Sequence, residues 1–292
     1  MLPAGAPETI PGGGGHPLSP RRGLPGYRPG AMRPYLSHEH PIRFAHRGSR
    51  VLWPENTMVA FQGAVDLGYR YLETDLHVSA DGVVVVFHDD RLDRLTDGTG
   101  MVWEHDWAHL SRLDAAHHFD PAGGHPLRGA GIGIPRLADV FAAFPGIMVN
   151  LDLKHRGIER AVAGGVDRLG AGERVMVGSF HDARIRRFRQ ITGGRVATSA
   201  GPREVARALA DARMGAAPGG AADAYQVPVG MGPLPVAGRR FVEAAHRAGK
   251  QVHVWTVDDP VEMHRLLDLG VDGIVTDRPD VLNVVIEERR PG

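Results

Sequence analysis

Ile147-Met148-Val149-Asn150-Leu151-Asp152-Leu153-Lys154 reads as a strand of divided character. Asn150, Asp152 and Lys154 alternate with Val149, Leu151 and Leu153, so polar residues share one face and apolar residues the other. Working outward, similar short runs recur on both sides. Strand candidates are Ile42–His46, Tyr71–Val78, Val83–His88, Ile147–Leu153, Arg174–Phe180, Arg195–Ser199, Ala224–Val227, Gln251–Val257 and Gly273–Thr276. The stretches between them predict helices over Thr57–Leu67, Arg136–Phe144, Gly157–Leu169, Asp182–Ile191, Arg203–Met214, Arg239–Ala248, Pro260–Leu269 and Pro279–Glu287. Asn56, Asp182 and Asp258-Asp259-Pro260 supply start signals, and Gly68, Gly249 and Gly270 stand where C-terminal caps belong.

Strand and helix alternate about eight times, which predicts a parallel sheet. Eight such units over about 250 residues fit a closed (β/α)8 TIM barrel, an α/β fold. The rival is an open doubly wound sheet, but no Gly-x-Gly-x-x-Gly follows the first strand. Residues 1–40 are rich in Pro and Gly, include Gly12-Gly13-Gly14-Gly15 and show no apolar period. They predict a disordered leader, with the barrel domain over 41–292. Residues 89–133 carry Gly, His, Asp and Trp without a clear period. They predict an insertion after the Val83–His88 strand, on the loop face where a barrel keeps its active site.

Bulk properties narrow the function. The 292 residues carry 34 basic and 34 acidic side chains, so bulk charge does not predict a nucleic-acid partner. With no cysteine there is no disulfide, thiolate zinc site or cysteine nucleophile, and a reducing compartment is favoured. No apolar run approaches the roughly 18 residues of a membrane span, and the N-terminus lacks a signal-peptide pattern. A cytoplasmic protein without an integral membrane segment is expected. Lys154 and Lys250 are the two lysines among 34 basic residues, which singles out a lysine at the end of a strand.

Charge gathers at the C-terminal ends of the strand candidates. His46-Arg47 ends the first. Glu73 and Asp75 stand two apart in the second and share a face, with His77 at the same parity. His88-Asp89 ends the Val83–His88 run, and His253 and Trp255 share a face of a later strand. In a barrel both sheet faces are covered, so inward carboxylates have no solvated side to explain them. Buried carboxylates persist when paired or metal-bound, so Glu73, Asp75 and Asp152 read as oxygen ligands for Mg2+ or Ca2+. His46 and His88 beside that site could divide proton transfer, one assisting attack and one protonating a leaving alkoxide. Arg47 and Lys154 suit phosphoryl oxygens. Glu55, in the loop beyond His46, could orient one of these groups or bridge to the metal.

Ala45-His46-Arg47-Gly48 and Pro54-Glu55-Asn56-Thr57 resemble the opening motif of glycerophosphodiester phosphodiesterases. Glu73-Thr74-Asp75, Asp81-Gly82, His88-Asp89, Arg94-Leu95-Thr96 and Gly98-Thr99-Gly100 continue it in order. Asn150-Leu151-Asp152-Leu153-Lys154, Trp255-Thr256-Val257 and Val271-Asp272-Gly273 through Thr276-Asp277-Arg278-Pro279 follow, so the resemblance spans about Ile42 to Asp280. It implies a TIM barrel with a small insertion after the second strand. It also implies metal-dependent hydrolysis of glycerophosphodiesters to sn-glycerol 3-phosphate and an alcohol. On that resemblance His46 and His88 form the acid–base pair, Glu73, Asp75 and the Asp152 position bind Ca2+ or Mg2+, Arg47 and Lys154 contact phosphate, and Trp255 walls the pocket. The family usually has glutamate where this chain has Asp152, one methylene shorter. Either water or the glycerol hydroxyl could attack. The alternatives are a lysophospholipase D acting on lysophospholipids and a non-catalytic phosphate-binding barrel.

Overall fold

The computed structural model describes residues 33–290 apart from 38, 39, 121 and 233. Eight parallel strands form the barrel: β1 Ile42–His46, β2 Tyr71–Val78, β3 Met148–Leu153, β4 Val175–Gly178, β5 Ala197–Thr198, β6 Ala224–Pro228, β7 Gln251–Trp255 and β8 Gly273–Thr276. They neighbour one another in the order β5-β4-β3-β2-β1-β8-β7-β6. A single parallel bridge, Ser199 to Ala224, joins the two ends and closes the ring. Helices follow every strand: α1 Met58–Asp66, α2 Leu137–Ala143, α3 Glu159–Arg168, α4 Asp182–Thr192, α5 Pro202–Arg213, α6 Arg239–Arg247, α7 Pro260–Asp268 and α8 Pro279–Glu288. Each lies within about two residues of its expected bounds.

The outward strand residues pack under the helices. Leu72, Leu76, Leu151 and Leu153 meet Leu137, Phe141, Val162 and Phe188 on one half of the ring, and Val252, Val254 and Ile274 meet Phe241, Met263 and Leu282 on the other. Inward residues build a separate layer at the N-terminal end of the barrel from Phe44, Tyr71, Met176 and Val275. Tyr35 and Leu36 complete that layer, although both fall within the leader expected from sequence. They lie in a 3-10 turn, Pro34–Leu36, and are buried. The Tyr71 hydroxyl donates to the Tyr35 carbonyl at 2.5 Å, and Gln251 Nε2 donates to the Leu36 carbonyl at 2.7 Å. The described chain therefore packs on the barrel from Arg33 onward, ahead of the expected start at residue 41. Residues 1–32 of that leader lie outside the described residues.

Two other expectations change. The Val83–His88 run is not a barrel strand. Its core, Val84–Val86, pairs antiparallel with Leu76–Val78 of β2 and makes a hairpin that opens the insertion. The insertion carries its own small core of Val85, Phe87, Leu92, Val102, Leu110 and Ile134, which a mixed sequence without a period does not reveal. Asn56 does not cap α1; Thr57 does, accepting from the Ala60 N–H at 3.2 Å. The glycines expected at helix ends, Gly68, Gly249 and Gly270, all adopt positive φ there.

His253 shares its strand face with Trp255 but belongs to the inner layer, against Phe44 and hydrogen-bonded to Gln251 at 3.0 Å. Burial pushes its imidazole down to about 3. The unfolded chain binds a proton near pH 6.5 that the folded chain refuses, so stability falls as pH drops below that value. The expected slope from this residue is about 1.4 kcal/mol per pH unit between pH 6 and 4. Urea denaturation of the protein and of His253→Gln across that range should show the variant flatter by one proton; identical slopes would refute the assignment.

Candidate active site

Backbone register places the acidic residues before any side-chain detail. His46 of β1 pairs beside Glu73 of β2, Glu73 beside Asn150 of β3, and Asp75 beside Asp152 one layer higher. All stand near the C-terminal ends of adjacent strands. A cavity of about 520 Å³ opens there, lined by His46, Arg47, Glu73, Asp75, His88, Asp152, Lys154 and Trp255. Every site residue expected from sequence except Glu55 thus meets in one place. Glu55 sits just behind, 2.8 Å from Arg47.

Asp75 is the centre of the polar network. It is 1% exposed, yet it accepts from Asn56 Nδ2 at 2.9 Å and faces Lys154 Nζ at 2.7 Å and Arg47 Nε at 3.1 Å. Burial alone would raise its pKa; the charges of Lys154 and Arg47 reverse that and hold it well below the carboxylate range. Glu73 has weaker company. Burial and the Asp75 charge push it up to about 7. Burial likewise raises Asp152, whose Oδ2 lies 2.7 Å from Lys154 Nζ. Arg47 and Lys154, expected to meet phosphate, therefore each bridge two carboxylates.

The loop after β1 is shaped to make these contacts. Arg47 and Asn56 adopt φ of 52° and 58°, a region non-glycine residues seldom enter. Asn56 occupies it with both ends of its amide engaged, the oxygen accepting from the Thr74 hydroxyl at 2.7 Å. Gly48 is required beside it, because a Cβ there would lie 2.6 Å from that of Ala60.

Each expected acid–base histidine has a carboxylate behind it. His46 Nδ1 lies 2.9 Å from Asp277 Oδ1, which leaves Nε2 toward Glu73 at 3.8 Å. Burial lowers the His46 pKa, but the hydrogen bond to Asp277 and the nearby Glu73 charge outweigh it and the net shift is upward. His88 Nδ1 lies 2.5 Å from Asp89 Oδ1. Arg94 then joins the two halves: its guanidinium contacts Asp89 at 2.5 Å and Glu55 at 2.9 Å. Behind His88, His77 Nε2 lies 3.3 Å from the His88 carbonyl oxygen. Burial holds His77 near pH 4, so it is neutral and donates.

The role of Asp277 went unread in the sequence although the signal was there. It directly follows β8, the position that flagged the other polar residues. Arg94 carried no such signal, since it lies in the irregular insertion.

The glycerophosphoryl diester phosphodiesterase family model matches residues 46–281. The chain belongs to that family. A probable glycerophosphodiester phosphodiesterase 2 of Mycobacterium tuberculosis is 38% identical over 261 residues, covering 87% of this chain and 94% of the relative. A glycerophosphodiester phosphodiesterase of Bacillus altitudinis is 30% identical, covering 85% and 98%. The crystal structure of a glycerophosphodiester phosphodiesterase from Agrobacterium tumefaciens superposes with a TM-score of 0.69 at 28% identity, covering 83% and 98%. The family's phosphoric diester hydrolase activity and its TIM barrel are those expected from the motifs. None of the described helices is long and apolar enough to cross a membrane.

Removing the ammonium from between Asp75 and Asp152 strands buried charge. Lys154→Met is expected to cost about 3–5 kcal/mol near neutral pH. The loss should shrink between neutral pH and pH 5, because without the ammonium the stranded carboxylates take up protons more readily. Urea midpoints at the two pH values would check this, and a midpoint unchanged at neutral pH would contradict the pairing.

Proposed function

We propose that this chain hydrolyses glycerophosphodiesters to sn-glycerol 3-phosphate and an alcohol, with His46 and His88 as the acid–base pair. The observation that carries the reading is the pair of histidine–carboxylate couples, His46–Asp277 and His88–Asp89, lining one cavity with the carboxylate cluster. A carboxylate on Nδ1 fixes the tautomer and leaves Nε2 as the working atom. The upward shift of His46 suits a base. His46 would take the proton of the attacking hydroxyl as its oxygen bonds to phosphorus. The phosphorus–oxygen bond to the alcohol breaks, and His88 gives that oxygen a proton. Arg94 and Glu55 act one step back, holding Asp89 and Arg47 in place.

The residues also suit a hard divalent cation. Glu73 Oε2 and Asn150 Oδ1 are buried oxygens without a hydrogen-bond partner, and the donor set is oxygen throughout. Glu73, Asp75 and Asp152 would hold Ca2+ or Mg2+, which supplies neutralisation of charge on the phosphoryl oxygens. Among the described residues no three acidic or histidine side chains already converge as a ligand group. The Lys154 ammonium sits 2.7 Å from both Asp75 and Asp152 and would compete with an ion for them. Aspartate in place of the usual glutamate suits that bridge, since its short side chain meets Lys154 at 2.7 Å.

His46→Ala and His88→Ala should each lower kcat on glycerophosphocholine at least about 100-fold, the scale of general acid–base catalysis. Asp277→Asn should lower kcat on a similar scale, leave KM nearly unchanged and move the acidic limb of the pH profile to lower pH. Near-wild-type turnover in both histidine variants would end the proposal. Separately, chelation with EDTA should abolish activity and Ca2+ or Mg2+ should restore it; full turnover in chelator would remove the metal.

A further inference from the structure

Charge lines only one arc of the cavity. Its ionisable residues stand on or directly after β1, β2 and β3, or after the Val84–Val86 hairpin; none stands on β4 to β8. The opposite arc carries neutral polar groups that the proton transfers above do not use. Met176 of β4, Ala197 of β5 and Ala224 of β6 belong to the inner apolar layer at the base of the barrel. Side chains alternate along a strand, so the residue two further on also points inward. Those residues are Gly178, Ser199 and Gln226, and all three line the cavity.

Together they form a notch. Gly178 pairs beside Asp152 of β3, so the notch adjoins the carboxylate cluster. The backbone does not demand glycine there, since φ of Gly178 is not positive. What the missing side chain leaves is space: an added Cβ would lie 2.9 Å from Ser199 Oγ and 3.5 Å from Gln226 Oε1. Gln226 Nε2 is buried without a hydrogen-bond partner. An idle buried donor is costly in a folded protein, and a ligand site reserves such groups to fix the orientation of its guest. The notch offers an amide and a hydroxyl, which both donate and accept, and carries no charge of its own. That chemistry matches an alcohol and gives an ammonium group no counter-charge.

We infer that the Gly178–Ser199–Gln226 notch takes the primary hydroxyl of the substrate's glycerol unit, with Gln226 as the residue that selects for it. The inference rests on the phosphodiesterase reading above. The headgroup alcohol varies among glycerophosphodiesters, whereas the glycerol that keeps the phosphate is common to all, so a fixed site fits the fixed part. Its middle hydroxyl remains beside phosphorus. Its primary hydroxyl lies farther along the carbon chain and can cross toward β4–β6. There its oxygen accepts from Gln226 Nε2 and its O–H donates to Ser199 Oγ. A diester without that hydroxyl leaves both groups unpaired, and a site built around a hydrogen bond rejects such an analogue.

The test uses the full chain with Ca2+ or Mg2+ and follows choline release from two substrates. One is glycerophosphocholine. The other is its propane-1,2-diol analogue, which keeps the hydroxyl beside the phosphate and lacks only the primary one. We expect kcat/KM to be at least about tenfold lower for the analogue. Gln226→Met should shrink that ratio to within about threefold. Gly178→Ala, which fills the notch and leaves the amide in place, should do the same. A merely structural role would slow both substrates alike and preserve the ratio. Equal turnover of the two substrates by the unaltered protein, or a preference that survives Gln226→Met, overturns the notch and spares the catalytic reading. If no diester is turned over, the catalytic reading fails and calorimetry decides the notch. Binding of sn-glycerol 3-phosphate at least about tenfold tighter than that of propane-1,2-diol 1-phosphate, with the difference lost in Gln226→Met, supports it. Equal affinities, or no binding of either, overturn it.

Discussion

Buried negative charge is the constraint from which the rest of this structure follows. Glu55, Glu73, Asp75 and Asp152 are all under 9% exposed, and two enclosed cations, Arg47 and Lys154, are shared by Glu55, Asp75 and Asp152. Carboxylates this far from water survive only with donors and counter-charge at close range. Asp75 has the Asn56 amide as a donor and two cations, Lys154 and Arg47, within 3.1 Å and is secure; Glu73 has no donor within hydrogen-bond reach on Oε2 and is pushed toward the neutral form. That inequality divides the cluster into committed and uncommitted acids. It leaves one carboxylate uncommitted among fixed neighbours.

The same demand shapes the backbone. Arg47 reaches Asp75 and Glu55 because the chain turns through positive φ after β1, and Asn56 reaches Asp75 from a second such residue. Conformations of this kind cost of order 1–3 kcal/mol each and persist where surrounding contacts over-determine them. Arg94 extends the network into the insertion, so the hairpin and its small core are tied to the barrel through charge as well as through packing.

Much of this was legible in the sequence, for stated reasons. The helices were readable because each buries one stripe between clear punctuation. Asn150, Asp152 and Lys154 were readable because period-two alternation makes no sense in a covered parallel sheet unless the polar face does something. Val83–His88 misled because a buried antiparallel strand and a buried parallel one are the same short apolar run. Tyr35 and Leu36 were hidden among Pro and Gly, where two apolar residues show no period. Local pattern can flag Asp277 at the end of a strand, but its pairing with His46, 231 residues away, is set by ring closure.

The stopper at the base of the barrel has a consequence for how the protein is made. Leu36 is held by Gln251, 215 residues later, and β1 finds its partner β8 only with Gly273–Thr276. A nascent chain emerging from the ribosome carries its whole acidic cluster by Lys154, long before the last staves arrive. Until then β1 presents a free edge, and the pit beneath Phe44 lacks half its walls. Contacts so distant along the chain slow folding and prolong exposure of sticky surface. The dangerous interval in the life of this barrel is therefore its own synthesis.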